Sequence, residues 1–540
     1  MPLKVVAVSA PDWISGAKDG CAINSRDPAS LFNACRYAAL LAERDHGAWH
    51  NSNWAISRLE RRRKVMLMYS LDDLAAFERL LVKEKPNMLL IGAMTLCLPG
   101  AIQCALRAKA ILGQEVFVIL GGRHVTETMY LSDPTLRHRD AVRHHPGSPL
   151  RLMADGRIPR VFDLAVSGDG EHIIAALGAL VDAATTTRGR QQTVDLANLD
   201  KNVPGDWIVG ALEGGSIRVE VSAGLSIDYN DLPSPSRMFG VTAAFDVFAG
   251  RMTAHVFSDI GRGCVYDCSF CSERRSVTGS PRDLSNAGDR LYRQLREAQD
   301  VISEDHTTRG ASAFVEDSVM LGGSPKLVDR FASLLENRPL RISFGAQFTV
   351  DQILTRQSEI VRLARNGLTY LFVGIETLSP TSVGGMSKDV GRNRASWLRR
   401  TQEALTFMRE HNVSCGCSVL FGLGETHEAR IELLQNLSHL QEQIGRPYPV
   451  SVNWAVQHPL CGDDAGASYD YIEWGTPDCE FLQYFHGFGE ASLLYPLPHV
   501  GRPLLSEVQE VSHLLNRLPA PRPMAPALTT DNQPGSWPPN

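Results

Sequence analysis

Three cysteines lie within one short loop, Gly261-Arg-Gly-Cys264-Val-Tyr-Asp-Cys268-Ser-Phe-Cys271. Thiolates at this C-x3-C-x2-C spacing are soft ligands for zinc, copper(I) or an iron-sulfur cluster. A structural zinc site closes with a fourth protein ligand, usually from a second paired knuckle, and none follows nearby in the sequence. A [4Fe-4S] cluster held by only three cysteines keeps one iron open to an exogenous ligand. Cys415-Gly-Cys417 is the other close pair. It falls in a strand-like run where both side chains share one face, which reads as core packing. Cys21, Cys35, Cys97 and Cys104 are isolated or embedded in apolar stretches, where a free cysteine acts as a small buried hydrophobe. Eleven cysteines in 540 residues, an odd number with no leader, point to reduced thiols rather than a disulfide scaffold.

The rest of the chain must position this loop. At 540 residues it is long enough for about three or four folding units, and with 44% hydrophobic and 21% charged residues it can build sizeable cores. A net charge of -6 and a pI near 6.3 provide no basic field for nucleic acid or an anionic membrane, so neither is expected as a partner. The start, MPLKVVAVSAPDW, fits neither a secretory signal nor a transit peptide, and no apolar run is expected to span a bilayer. The expected location is the cytoplasm.

Strand-like and helix-like segments alternate through the first 185 residues. Lys4 to Val8, Lys64 to Tyr69, Met88 to Met94 and Val116 to Leu120 read as strands. Ser30 to Glu43, a segment capped by Ser70 with Leu74, Phe77 and Leu81 on one face, and a segment opened by Pro99 read as helices. Such alternation predicts a parallel α/β sheet, whose ligands sit beyond the carboxyl ends of the strands. Two glycine loops lie there: Gly121-Gly122-Arg123-His124 and Ser167-Gly168-Asp169-Gly170-Glu171. Periodicity weakens over 186–250, and Leu232-Pro-Ser-Pro-Ser236 reads as a proline-interrupted linker.

A second alternation fills 251–460. Strands are expected at Thr253 to Asp259, Ala313 to Val319, Ile342 to Phe348, Tyr370 to Ile375, Ser414 to Phe421 and Val450 to Val456, with helices between them. Six such units make a partial (β/α)6 barrel whose functional groups belong at the strands' carboxyl ends. Residues 461–517 read as a small C-terminal substrate-side region. Trp474, Tyr484, Phe485, His486 and Phe488 either line the active site there or pack a subdomain. The proline-rich stretch 518–540 reads as a disordered tail.

On these residues, about 252 to 460 resembles the radical S-adenosylmethionine (SAM) superfamily. The resemblance implies that Cys264, Cys268 and Cys271 bind a [4Fe-4S] cluster whose open iron is chelated by the methionine end of SAM, and that SAM is cleaved to a 5′-deoxyadenosyl radical. Phe314-Val-Glu316-Asp317-Ser318 stands in place of the family's glycine-glycine-glutamate segment, with Glu316 and Asp317 as alternatives for the methionine amino group. Gly374-Ile-Glu376-Thr377 resembles the element that reaches the ribose or methionine end. Ser418-Val-Leu-Phe-Gly422-Leu-Gly424-Glu425 resembles the fifth-strand segment near adenine, with Ser418 replacing a glycine.

The first domain resembles the cobalamin-binding module fused to one large class of these enzymes. The likeness rests on Pro86 to Thr95, Leu120 to His124 and Val166 to Glu171. It implies a Rossmann-like domain with Gly121, Gly122 and Gly168 as backbone approaches to cobalamin. No D-x-H-x-x-G occurs in the sequence, so the cobalt is expected base-off, and His124 is read as a hydrogen-bonding loop residue. The implied activity is a methyltransferase acting on an unactivated carbon of a small metabolite or peptide, with an electron donor such as flavodoxin or ferredoxin. The alternatives are a cyclase or rearrangement enzyme with the first domain as a lid, and a non-catalytic metal-binding scaffold. A tRNA methylthiotransferase is disfavoured, because the tail is proline-rich rather than basic and no further cluster cysteines precede the barrel in that family's spacing.

Overall fold

The computed structural model describes residues 3–11, 64–68, 71–186, 194–230, 232, 234–241, 245–258, 263–275, 286–378, 386–388, 397–445, 448–458, 472, 495–497 and 500–518. The helix expected at Ser30 to Glu43, the aromatic cluster at 474–488 and the tail beyond 518 lie outside these residues.

The first sheet is built from apolar runs too short for helices. They are β1 (Val5–Ser9), β2 (Val65–Leu67), β3 (Met88–Gly92) and β4 (Phe117–Gly121). A separate antiparallel pair follows, β5 (Met129–Leu131) and β6 (Val142–His144), and then β7 (Leu164–Gly168), β8 (Trp207–Glu213) and β9 (Ser216–Val221). The order is β2-β1-β3-β4-β7-β8-β9, parallel as far as β7. All five residues of β1 and of β3 are buried, as a strand covered on both faces requires. The helices Leu74–Glu84 and Leu98–Leu112 cover one face, and Ile173–Thr186 covers the other. This is a doubly wound sheet, whose ligand crevice lies outside the carboxyl ends of its strands.

Two expectations change here. Residues 186–250 are not simply a linker: β8 and β9 form an antiparallel hairpin that extends the first sheet, closed by Gly214-Gly215, both with positive φ. The segment Thr95–Glu115 is also long and apolar enough to cross a bilayer, with a mean hydropathy of 1.2. Its side chains Leu98, Ala101, Cys104, Ala105 and Ala108 are fully buried in the domain core.

The second sheet has six parallel strands in chain order: β10 (Met252–Val256), β11 (Ala311–Val315), β12 (Ile342–Gln347), β13 (Leu368–Glu376), β14 (Ser414–Phe421) and β15 (Tyr448–Trp454). Amphipathic helices such as Ala287–Asp305 and Pro325–Asn337 bury one stripe each against its outer face. The chain therefore has the expected α/β architecture, a Rossmann-like sheet followed by a partial (β/α)6 barrel. Strand β11 ends at Val315, earlier than expected, because the chain turns at Glu316 and Asp317 and passes through Leu321 and Gly322 at positive φ. Within 461–517, the helix Leu505–Leu515 packs on His427–Ile444 and so belongs to the barrel's helical layer.

Candidate functional site

The cysteine loop follows β10 and folds back on itself. Cys264 N–H donates to Glu273 O (2.8 Å), Cys271 N–H to Cys268 O (3.1 Å) and Arg275 N–H to Tyr266 O (2.9 Å). Cys268 is buried, while Cys264 and Cys271 are partly exposed. Burial pushes the Cys264 thiol up, and it carries Cys271 to about 12 with help from Glu273. The charges of all three thiols act on one another. Among the described residues no three His, Cys, Asp or Glu side chains are gathered into a finished metal-binding set. The donor set still fits an iron-sulfur cluster: three soft ligands share one loop, and buried thiols ionise readily only when bound to metal.

Two residues missed in the sequence support this loop. Ser387 N–H donates to Cys268 Sγ at 3.4 Å, and Ser387 Oγ accepts from Asp267 N–H at 2.6 Å. The adjacent Lys388 Nζ donates to Glu376 Oε1 at 2.6 Å. One short segment therefore ties the cysteine loop to the end of β13. Glu376 itself sits at φ +58°, beyond a bulge in the β13–β14 register, a costly conformation for a non-glycine residue. Ser418 Oγ lies 3.2 Å from both of its carboxylate oxygens. Glu376 and Ser418 thus meet across the neighbouring strands β13 and β14.

Glu316 and Asp317 are separated by what they touch. Asp317 accepts from Ser258 N–H (2.9 Å), from Ser258 Oγ–H and from Leu321 N–H (3.0 Å). Burial raises its pKa, and those bonds oppose the rise. It clamps the turn after β11. Glu316 instead meets His255, with Nδ1 to Oε1 at 2.5 Å. At the end of β14, the Gly422 and Leu423 N–H groups both donate to the Glu425 carboxylate at 2.7 Å. Arg430 holds that carboxylate at 2.7 Å, reaches Glu507 of the C-terminal helix at 3.3 Å and lies over the Trp454 ring at 5.2 Å. The turn bearing Gly422 is thus braced by the last helix. No local pattern announced Glu507, whose partner Arg430 lies 77 positions away and is brought to it by the fold.

At the first sheet's carboxyl edge, Gly122 has φ +98°, and a Cβ there would lie 2.6 Å from the N and O of Ala93. Gly168 has φ +83°, and a Cβ would lie 2.0 Å from Asp206 O. The chain itself requires both glycines. Gly121 differs: its φ is ordinary and a Cβ would meet only Val166 O, at 3.6 Å. His124 is fully buried, with Nε2 2.9 Å from Gly147 O and Nδ1 3.4 Å from Thr95 Oγ1. Burial holds its pKa down to about 4. It makes the hydrogen bonds expected from the sequence, but from the first turn of the short helix Arg123–Thr128 rather than from a loop, because the chain coils directly after Gly122. Thr95 Oγ1 also donates to Glu127 (3.0 Å), whose carboxyl burial raises to about 8 against the opposing charge of Arg123.

The two edges meet. Arg123, directly after Gly122, forms an ion pair with Glu273, two residues beyond Cys271. Burial opposes the Arg123 charge, but Glu273 and Glu127 outweigh it and raise its pKa. His458, just past β15, feels the charges of Arg123 and Arg274, and burial lowers its pKa to about 4. The glycine loop of the first domain, the cysteine loop and the end of the last barrel strand therefore border one seam.

Comparison with known proteins finds similarities chiefly in the second domain. Residues 258–437 match the model of the Radical SAM superfamily. Biotin synthase of Azorhizobium caulinodans is 24% identical over 249 residues, which cover 45% of this chain and 69% of that protein. The anaerobic magnesium-protoporphyrin IX monomethyl ester cyclase of Cereibacter sphaeroides is 21% identical over 306 residues, 55% of this chain and 43% of that protein. A solved structure of the radical S-adenosylmethionine methyltransferase TsrM from Kitasatospora setae, with cobalamin and a [4Fe-4S] cluster bound, aligns over 84% of this chain and 72% of that one. The identity there is 13% and the TM-score 0.45. The segment that matches the Radical SAM superfamily model, 258–437, runs from the C-x3-C-x2-C loop after the first strand of the six-stranded parallel half-barrel to the helix His427–Ile444 after its fifth.

Proposed function

We propose that the protein is a cobalamin-dependent radical SAM methyltransferase, acting on an unactivated carbon of a small metabolite or peptide. The observation that carries this reading is the Arg123–Glu273 ion pair. It joins the loop after Gly121-Gly122, where a corrin would lie on a doubly wound sheet, to the loop that holds the cysteines. Bound there, a [4Fe-4S] cluster with SAM supplies reductive cleavage of SAM, and cobalamin supplies a methyl carrier.

The chain's own residues bind and orient. Cys264, Cys268 and Cys271 hold the cluster. Glu316 accepts the methionine ammonium, while Asp317 shapes the turn that presents it. Glu376, set by Lys388 and Ser418, faces the ribose or methionine end, and the turn of Gly422 borders adenine. Gly121, Gly122 and Gly168 present backbone rather than side chain to the corrin. Electrons come from an external one-electron donor such as flavodoxin or ferredoxin.

The test is incubation of the anaerobically reconstituted protein with candidate substrates and methyl-deuterated SAM. We expect a product carrying the label, with 5′-deoxyadenosine and S-adenosylhomocysteine formed together. A product without label, formed with 5′-deoxyadenosine but no S-adenosylhomocysteine, would replace methyl transfer by cyclisation or rearrangement.

A further inference from the structure

We propose that His255 is a positioning residue for SAM, holding the Glu316 carboxylate in the pose that receives the methionine ammonium. The proposal rests on the assignment of Glu316 above and goes beyond it, because nothing in the sequence connects a histidine on the first barrel strand with that role.

The geometry begins with register. Strands β10 and β11 are parallel neighbours with His255 opposite Phe314, and Glu316 N–H donates to Val256 O at 2.9 Å, so the ladder continues one residue past the end of β11. His255 and Glu316 are thereby set side by side, with Nδ1 2.5 Å from Oε1. The Glu316 side chain is fully buried, while that of His255 keeps 11% of its surface exposed. Phe245 meets the imidazole edge-on, with ring centroids 5.4 Å apart at 65°. The ring is therefore held from two directions, by an aromatic contact and by the carboxylate.

A glutamate with freely turning side-chain torsions must lose that freedom each time it binds a cation. Fixing it in advance through a rigid donor removes this cost from binding. A carboxylate has about four acceptor sites, so a bond from Nδ1–H is compatible with receiving an ammonium as well. Asp317 is instead committed to the turn, where Ser258 and Leu321 bond both of its oxygens.

The test uses the full-length chain with its cluster reconstituted but unreduced, so that SAM binds without turning over. Equilibrium dialysis measures SAM affinity for wild type, His255→Phe, His255→Gln, Glu316→Gln and the His255→Phe/Glu316→Gln double variant. Phenylalanine keeps the ring and its contact with Phe245 but loses the donor, whereas glutamine restores a donor. Loss of that donor predicts SAM binding roughly tenfold weaker in His255→Phe, which is about 1.4 kcal/mol. We expect His255→Gln to lie within about twofold of wild type, and the double variant to be scarcely weaker than Glu316→Gln alone, as coupled residues require. Iron per chain should be unchanged throughout, and 5′-deoxyadenosine formation in His255→Phe should recover at saturating SAM, which a folding defect would not allow. Wild-type affinity in His255→Phe with weak binding in Glu316→Gln overturns the positioning role alone. Wild-type affinity in Glu316→Gln overturns the assignment of Glu316 and the proposal with it.

Discussion

Changing Cys264, Cys268 and Cys271 together to alanine removes nearly all bound iron and all formation of 5′-deoxyadenosine, while the protein remains folded. The loop is held mainly by backbone bonds, among them Cys264 N–H to Glu273 O and Arg275 N–H to Tyr266 O, which survive loss of the sulfurs. Cys264 and Cys271 are partly exposed, so truncating them leaves little cavity. Cys268 is more buried and costs about 1 kcal/mol or somewhat more on truncation. Iron content after anaerobic reconstitution and chromatographic assay of 5′-deoxyadenosine check the result. Cys415 and Cys417 serve as the control, since both are buried in the barrel core. Changing them to serine should reduce stability without removing the cluster.

The second large effect is expected at Gly121. Gly122 and Gly168 are needed by the backbone, so a bulky residue at either one disturbs the fold and says little about a ligand. Gly121 has room for a Cβ, which would meet Val166 O at an ordinary 3.6 Å. Side-chain bulk there projects at the carboxyl edge of β4, where a corrin would approach. We expect Gly121→Val to weaken cobalamin binding by roughly tenfold or more, corresponding to about 1.4 kcal/mol or more, with a melting temperature within a few degrees of wild type. Gly121→Ala should fall between. Spectrophotometric titration with hydroxocobalamin measures both. Unchanged affinity in Gly121→Val would remove this edge as the corrin's resting place.

The parts of this molecule that follow local rules were legible in the sequence. Three thiols at fixed spacing and buried apolar runs between amphipathic segments identified the cysteine loop and all six barrel strands, because spacing and periodicity are properties of a few consecutive residues. The hairpin Trp207–Glu213 and Ser216–Val221 was read as linker, although Gly214-Gly215 between two β-rich runs is a recognisable turn signal. Its antiparallel attachment to β7 interrupts the βα alternation that guided the reading. Glu316 and Asp317 stayed equivalent until tertiary contacts distinguished them. Ser387 and Lys388 carried no signal, since Ser387 meets Cys268 across 119 positions. Likewise, the Arg123–Glu273 pair joins residues 150 positions apart. Such contacts are made by tertiary packing, within the barrel for the first and between the domains for the second, and no short window of sequence contains them.

The central claim is that the first domain's carboxyl edge and the cysteine loop enclose one seam, so that a corrin and a cluster bound to them are close neighbours. A one-electron-reduced [4Fe-4S] cluster and cob(II)alamin are both paramagnetic, and nearby spins shorten one another's relaxation. Electron paramagnetic resonance of the protein loaded with both therefore tests the claim directly. Reducing the cluster should speed the relaxation of the cob(II)alamin signal, and the triple cysteine variant loaded with cobalamin should show no such change. Cob(II)alamin bound one per chain, with the same relaxation whether the cluster is oxidised or reduced, would contradict the account.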